Sequence, residues 1–243
     1  MKVAALIPAR LQSERFPRKL LQDLGGKPVI VRTWEAAKNS GLFDIVAVVT
    51  DSPEIENTLI TAGAQVFVSR KQHPSGTDRI AEFARNIHAD VIINIQGDEP
   101  FIKPAPLNQI INTFRNDYRK QIDIISLMTP IKDPHEFNKP DNVKVVTDLH
   151  GFALYFSRAP IPFPRNKNSI NAYKHIGIYA FRKTVLEKIA RLQPTPLEET
   201  EKLENLRFLQ HGFKIKMLIT NEENVGIDTP QDLEKARKLW KND

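Results

Sequence analysis

Three short, almost uninterrupted apolar runs constrain this chain more than any other feature: Val3–Pro8, Ile45–Thr50 and Val91–Gln96. Each is too short for a buried helix and rich in Val and Ile, the pattern of a strand covered on both faces. Helical signals lie between them. Ser52 reads as an N-cap with Pro53 at the first helical position, and Ile80, Phe83, Ala84 and Ile87 recur at helical spacing. Pro104 to Phe114 is a further helix candidate. Strands alternating with helices predict an α/β fold: a Rossmann-like, open, mostly parallel sheet flanked by helices, with right-handed crossovers. Such sheets bind ligands in the crevice outside the carboxyl ends of their strands.

The second half is less regular. Val143–Thr147 and Phe152–Phe156 flank Asp148–Gly151 and read as a hairpin. A loop rich in proline and asparagine runs from Arg158 to Asn171. Ile176–Phe181 and Lys214–Thr220 are strand candidates; Thr184–Leu192 and Leu197–Gln210 are helix candidates. A last helix follows Thr229 and Pro230 and buries Leu233, Ala236 and Trp240. No repeat and no Gly/Ser linker divides the chain. The simplest organisation is one domain over residues 1–243 with a small antiparallel lobe inserted at about residues 130–215.

Composition narrows the function classes. Apolar residues at 41% and charged residues at 26% describe a soluble globule. No apolar stretch approaches the ~20 residues needed to span a bilayer, and Pro8 and Arg10 interrupt the first run too soon for a signal peptide. The absence of cysteine excludes disulfides, thiolate catalysis and cysteine zinc sites. A cytoplasmic protein without membrane insertion is expected. The 35 basic against 29 acidic residues favour an anionic partner. Without an aromatic-plus-basic platform or a helix-turn-helix cue, a phosphorylated small molecule fits better than nucleic acid.

The first strand runs into a loop that carries cations instead of glycines. It has neither a dinucleotide fingerprint nor a P-loop. Arg10, Arg15 and Lys19, with Pro17 between the last two, could neutralise a triphosphate through side chains. Gln96-Gly97-Asp98-Glu99-Pro100 leaves the most hydrophobic strand, which aims Asp98 into the ligand crevice. Asp228 stands one residue outside the last helix, because Thr229 is the better N-cap with Pro230 and Asp232 behind it. Two carboxylates at loop starts suit Mg²⁺, which is held by one or two carboxylates plus substrate phosphates. Thr77 reads as the N-cap of the next helix, and the backbone at Gly76 could read a base edge or hold an anion. His175 and Tyr179 share one side of their strand, Glu201 and Glu204 share one helix face, and Asp51 belongs to a capping arrangement.

Taken in order, these segments resemble the 3-deoxy-manno-octulosonate (Kdo) cytidylyltransferase family, the CMP-Kdo synthetases. The matching stretches are Ile7–Arg10, Arg15–Pro17, Lys19, Gly26–Pro28, Ser75–Thr77, Gln96–Pro100, Asn142–Val146, Ala153–Arg158, His175–Tyr179, Leu203–Glu204, Leu206–Arg207 and Asp228–Pro230. They span nearly the whole chain. The resemblance implies the nucleotide-diphospho-sugar transferase type of α/β fold. It also implies the reaction CTP plus Kdo to CMP-Kdo plus diphosphate, with Mg²⁺, in a cytoplasmic homodimer serving lipopolysaccharide synthesis. It assigns Arg10, Lys19, Asp98 and Asp228 to catalysis, the two aspartates as metal ligands. Ala9, Arg10, Arg15, Lys19, Ser75, Gly76 and Gln96 would bind the nucleotide; Gln96, Arg158, His175, Tyr179, Glu204 and Asn205 would line the sugar site. Two positions depart from the family pattern: Arg18 replaces a glycine and Asn205 replaces a glutamine. A left-handed Arg18 would cost on the order of 1 kcal/mol; alternatively its cation reaches the phosphates. Another acidic sugar, 8-amino-Kdo or a sialic-acid-like one, is the alternative substrate.

Overall fold

The computed structural model describes residues 1–13, 15–71, 73, 75–165, 171–222 and 225–241; residues 166–170 of the loop expected after Arg158 lie outside them. The chain forms two compact units, Met1–Leu107 with Glu223–Asp243, and Asn108–Glu222.

The first unit opens with β1 (Val3–Ala9), buried along its whole length as its apolar run predicts. A 3-10 turn at Lys19–Leu21 and a small hairpin, β2 (Asp23–Leu24) and β3 (Lys27–Pro28), lead into α1 (Val29–Asn39). Next come β4 (Ile45–Thr50), α2 (Pro53–Thr61), β5 (Gln65–Val68), α3 (Gly76–Ala84) and β6 (Val91–Asn94). The boundary between units falls within α4 (Pro104–Asn116). Strands β6, β1, β4 and β5 lie side by side in that order, all parallel, which is the mostly parallel α/β sheet expected. Ser52 caps α2 with Pro53 behind it, as predicted. Helix α3 differs from expectation. Its cap is Ser75, which accepts from Asp78 N at 3.1 Å, while Thr77 is buried inside the first turn. Ile87 falls beyond the helix yet remains buried.

The second unit contains β7 (Ile124–Pro130), α5 (Pro134–Asn138), β8 (Lys144–Thr147), β9 (Ala153–Ser157) and β10 (Tyr173–Arg182). It continues with α6 (Lys183–Ile189), α7 (Pro196–Glu201), α8 (Glu204–Gln210) and β11 (Ile215–Ile219). Strand β7 pairs antiparallel with β10 and parallel with β11, and β8–β9 is the expected hairpin. The single helix predicted over Leu197–Gln210 is two, broken at Lys202, whose φ of +53° cannot continue a helix. Glu201 and Glu204 therefore belong to different helices. The chain returns to the first unit with α9 (Pro230–Trp240), entered through the predicted Thr229–Asp232 capping box.

Within the second unit a fully buried ammonium sets the local geometry. Lys144 Nζ donates to the carbonyls of Lys139 (3.0 Å), Asn142 (2.6 Å) and Arg158. Burial pushes its pKa down; nearby Glu201 opposes the shift and Arg158 adds to it. Glu201 clamps the same strand end from the other side, accepting from Ser157 Oγ at 2.6 Å and Arg158 N at 2.9 Å. Lys144→Met strands three carbonyls and is expected to destabilise the fold by about 3 kcal/mol. Urea unfolding should show a lower midpoint at unchanged slope.

Candidate active site

The cation loop starts where β1 ends, at Ala9, and close backbone approach shapes that end. A Cβ on Gly97 would lie 3.1 Å from the Pro8 carbonyl oxygen and 3.1 Å from Ile30; one on Gly76 would lie 3.1 Å from the Pro8 ring. A side chain at either position would require its neighbours to shift by a few tenths of an ångström. The buried hydroxyl of Thr33 donates to the Gly97 carbonyl at 2.8 Å and fixes the exit of β6.

Three segments distant in sequence meet here. Lys19 Nζ is paired with Asp98 and lies 2.9 Å from Asp228 Oδ1; Arg15 reaches the other oxygen of Asp228 at 3.2 Å. Ile227 N–H donates to the Asp98 carbonyl at 3.0 Å, so the two aspartates are also joined through backbone. Burial of Lys19 works against its charge, but Asp98 and then Asp228 overcome it and raise its pKa. Burial likewise opposes ionisation of Asp228, but Lys19 and Arg15 hold its pKa below the usual carboxylate range. Arg10, Ser13, Lys19, Gln96, Asp98 and Asp228 line one cavity of about 350 Å³, together with Glu99 and Gly226. Glu99 had no assigned role in the sequence. A Cβ on Gly226 would lie 3.1 Å from its carboxylate, and its place beside Asp98 was the only signal for it.

Helix α9 docks the Asp228 segment. Trp240 stacks into the space over Gly25 (φ +63°), lies 5.6 Å from the Phe101 ring and carries the Arg32 guanidinium 4.3 Å from its centroid. Arg18 is left-handed (φ +57°), as feared from the glycine it replaces, and its guanidinium pairs with Glu54 in the first turn of α2. In this structure the guanidinium is directed to Glu54, and Arg18 is absent from the lining of the Lys19–Asp98–Asp228 cavity. Asp51 does not cap α2; it accepts from Arg79 Nη2 at 2.9 Å, because Ser52 already fills the cap.

Among the described residues no three His, Asp or Glu side chains converge as a metal cage. Asp98 and Asp228 do converge on one cation, the Lys19 ammonium, and a carboxylate pair of this kind fits a divalent ion that arrives with phosphates.

The predicted sugar-site residues other than Gln96 lie in the second unit. His175 and Tyr179 have ring centroids 5.2 Å apart, closer than a regular strand allows for residues four apart, because the β7–β10 register shifts between Ile176 and Tyr179. Ser126 Oγ lies 2.9 Å from His175 Nε2. Burial, with the Glu204 charge adding, pushes the Tyr179 phenol upward, and a hydrogen bond with Asn205 opposes it. Asn205 is buried, and its Oδ1 has no partner among the described residues. Arg158 donates from Nε to Glu201 O (2.8 Å) and from Nη1 to Pro140 O (3.1 Å).

Burial lowers the His175 pKa from 6.5 to about 4. The unfolded chain takes up this proton first on acidification, so stability present above pH 6.5 is lost as the pH falls toward 4, by up to about 3 kcal/mol. In urea unfolding at stepped pH, His175→Gln should flatten that window relative to the parent.

A family model described as cytidylyltransferase matches residues 4–216. The 3-deoxy-manno-octulosonate cytidylyltransferase of Flavobacterium johnsoniae is 51% identical over 243 residues, covering 100% of both chains. That of Christiangramia forsetii is 51% identical over 98% of this chain and 96% of its own. A solved structure of CMP:2-keto-3-deoxy-manno-octonic acid synthetase complexed with CTP is 38% identical, covers 100% of this chain and 99% of its own, and superposes with a TM-score of 0.94. The chain belongs to the 3-deoxy-manno-octulosonate cytidylyltransferase family.

Proposed function

We propose that the chain transfers the cytidylyl group of CTP to Kdo, giving CMP-Kdo and diphosphate for lipopolysaccharide synthesis. The observation that carries this reading is the convergence of Asp98 and Asp228 on Lys19 at the mouth of β1, in a member of this family. The anomeric hydroxyl oxygen of the sugar bonds to the α-phosphorus, the bond to the bridging oxygen of the β-phosphate breaks, and diphosphate leaves with that electron pair. The hydroxyl proton passes to solvent. Such transfers depend mainly on positioning and charge neutralisation.

Arg10, Arg15 and Lys19 supply that neutralisation: they orient the triphosphate and stabilise the departing diphosphate. Mg²⁺, held by Asp98 and Asp228, would supply charge neutralisation at the phosphates and a lower pKa for a coordinated hydroxyl. Ala9, Ser75 and Gly76 bound the base. The Ser75 hydroxyl is already engaged as the α3 cap, so its contribution is through backbone. Gln96 lines the nucleotide cavity and is shared with the sugar. On the sugar side, Glu204 and the buried Oδ1 of Asn205 are acceptors for hydroxyls, Tyr179 stays protonated, and Arg158 faces the carboxylate. The family resemblance extends the proposal to a cytoplasmic homodimer.

Diphosphate release should require CTP, Kdo and Mg²⁺ together and stop in EDTA. Asp98→Asn and Asp228→Asn should each lower turnover by about 10²-fold or more at unchanged circular dichroism. Arg18→Gly, which removes the Glu54 pairing and relieves the left-handed backbone while leaving the cavity-lining residues in place, should keep KM for CTP within about twofold. Release with sialic acid or 8-amino-Kdo but not Kdo would move the substrate to the alternative acidic sugar.

A further inference from the structure

Strand β10 is interrupted where it runs past β7. Ile176 lies opposite Leu127 and Tyr179 opposite Ser126, so Gly177 and Ile178 have no counterpart on β7. One hydroxyl gathers the chain at this gap. Ser126 Oγ lies 2.8 Å from the Ile178 carbonyl oxygen, 3.2 Å from that of Ile176 and 2.9 Å from His175 Nε2. Ser126 is fully buried.

A hydroxyl has one hydrogen to give and two lone pairs. The two carbonyl neighbours of Ser126 can only accept, so its hydrogen goes to one of them, and Ile178 is the nearer. The remaining contact then requires a donor on the imidazole, which places the ring's hydrogen on Nε2. With the bond reversed, the Ser126 oxygen would face both carbonyl oxygens with no hydrogen between them, a costly arrangement in a buried place. Burial also keeps the ring neutral near pH 7, its pKa being lowered to about 4, so it holds one N–H and one acceptor. That acceptor is Nδ1, which makes no hydrogen bond among the described residues. Phe156 and Tyr179 hold the ring in place, each with its centroid 5.2 Å away, and His175 keeps part of its surface exposed.

We infer that Ser126 is a positioning residue of the sugar site: it accepts the Nε2 hydrogen of His175, fixes one tautomer across the strand irregularity, and leaves Nδ1 as the acceptor for a sugar hydroxyl. The inference rests on the proposed place of His175 at the sugar and deepens that reading, in which Ser126 has no part. Irregularities of this kind re-aim a side chain that regular alternation would point elsewhere. The bond made by one imidazole nitrogen decides what the other can do. Because this bond fixes orientation and adds no charge, its loss weakens sugar binding and leaves the nucleotide side alone.

The test combines imidazole ¹⁵N spectra with steady-state kinetics and thermal unfolding of the full chain. Near pH 7 the ring whose signals vanish in His175→Gln should be neutral, with its hydrogen on Nε2 and protected from exchange with water. Ser126→Ala should lose that protection, raise KM for Kdo about tenfold and keep KM for CTP within about twofold. Ser126→Thr, which keeps the hydroxyl, should recover most of both losses. Ser126→Cys, close in size but a weak acceptor, should reproduce Ser126→Ala and serves if that variant does not fold. A parent ring that is protonated, or that carries its hydrogen on Nδ1, overturns the inference. So does an unchanged KM for Kdo in the alanine and cysteine variants, or a loss confined to kcat that tracks Tm and is not rescued by threonine. A parent chain whose turnover of CTP does not depend on Kdo overturns the sugar reading instead, and the spectra then decide the Ser126–His175 bond by themselves.

Discussion

The ammonium of Lys19 between Asp98 and Asp228 is the interaction around which the first unit's candidate site is assembled. It joins a loop after the first strand, the exit of a central strand and a segment that precedes the last helix. Two carboxylates this close repel one another unless a cation lies between them. The Ile227–Asp98 backbone bond and the seating of Trp240 over Gly25 then hold the arrangement without relying on charge alone.

The same interaction makes the resting site nearly self-neutralised. Lys19 and Arg15 spend their charge on the aspartates, and Arg18 spends its own on Glu54. On the proposed reading, a magnesium triphosphate brings an anion for the lysine and a cation for the carboxylates, so binding exchanges internal ion pairs for intermolecular ones. Partners already aligned lose little freedom in that exchange. The loop's cations have different partners: Arg18, left-handed ahead of the 3-10 turn, pairs with Glu54, while Lys19, the first residue of that turn, pairs with the two aspartates.

Much of this was legible in the residues. The buried runs gave parallel strands because a period of one apolar residue per position leaves no other cover, and the Ser52 and Thr229 caps were readable from proline at the next position. The cationic loop and Asp98 could be placed at strand ends, and Asp228 just outside the last helix, from the sequence pattern. Other features depend on contacts that no local pattern encodes. Ser75, not Thr77, caps α3, and Gly76 begins the helix close against Pro8. The split of α7 from α8 turns on one residue, Lys202, with positive φ and no glycine to announce it. The strand irregularity between His175 and Tyr179 shortened a spacing that alternation would have made long. Glu201, expected to share a helix face with Glu204, instead holds the end of β9.

The first unit is discontinuous: residues 108–222 are made between its two parts. A ribosome synthesises the cation loop and Asp98 early, and then builds an entire second unit before Asp228 and Trp240 emerge. Until they do, Lys19 has one of its two anionic partners and Gly25 has no indole above it. The nascent chain thus carries half a charge cluster through most of its synthesis, and the site closes only as the last helix is released.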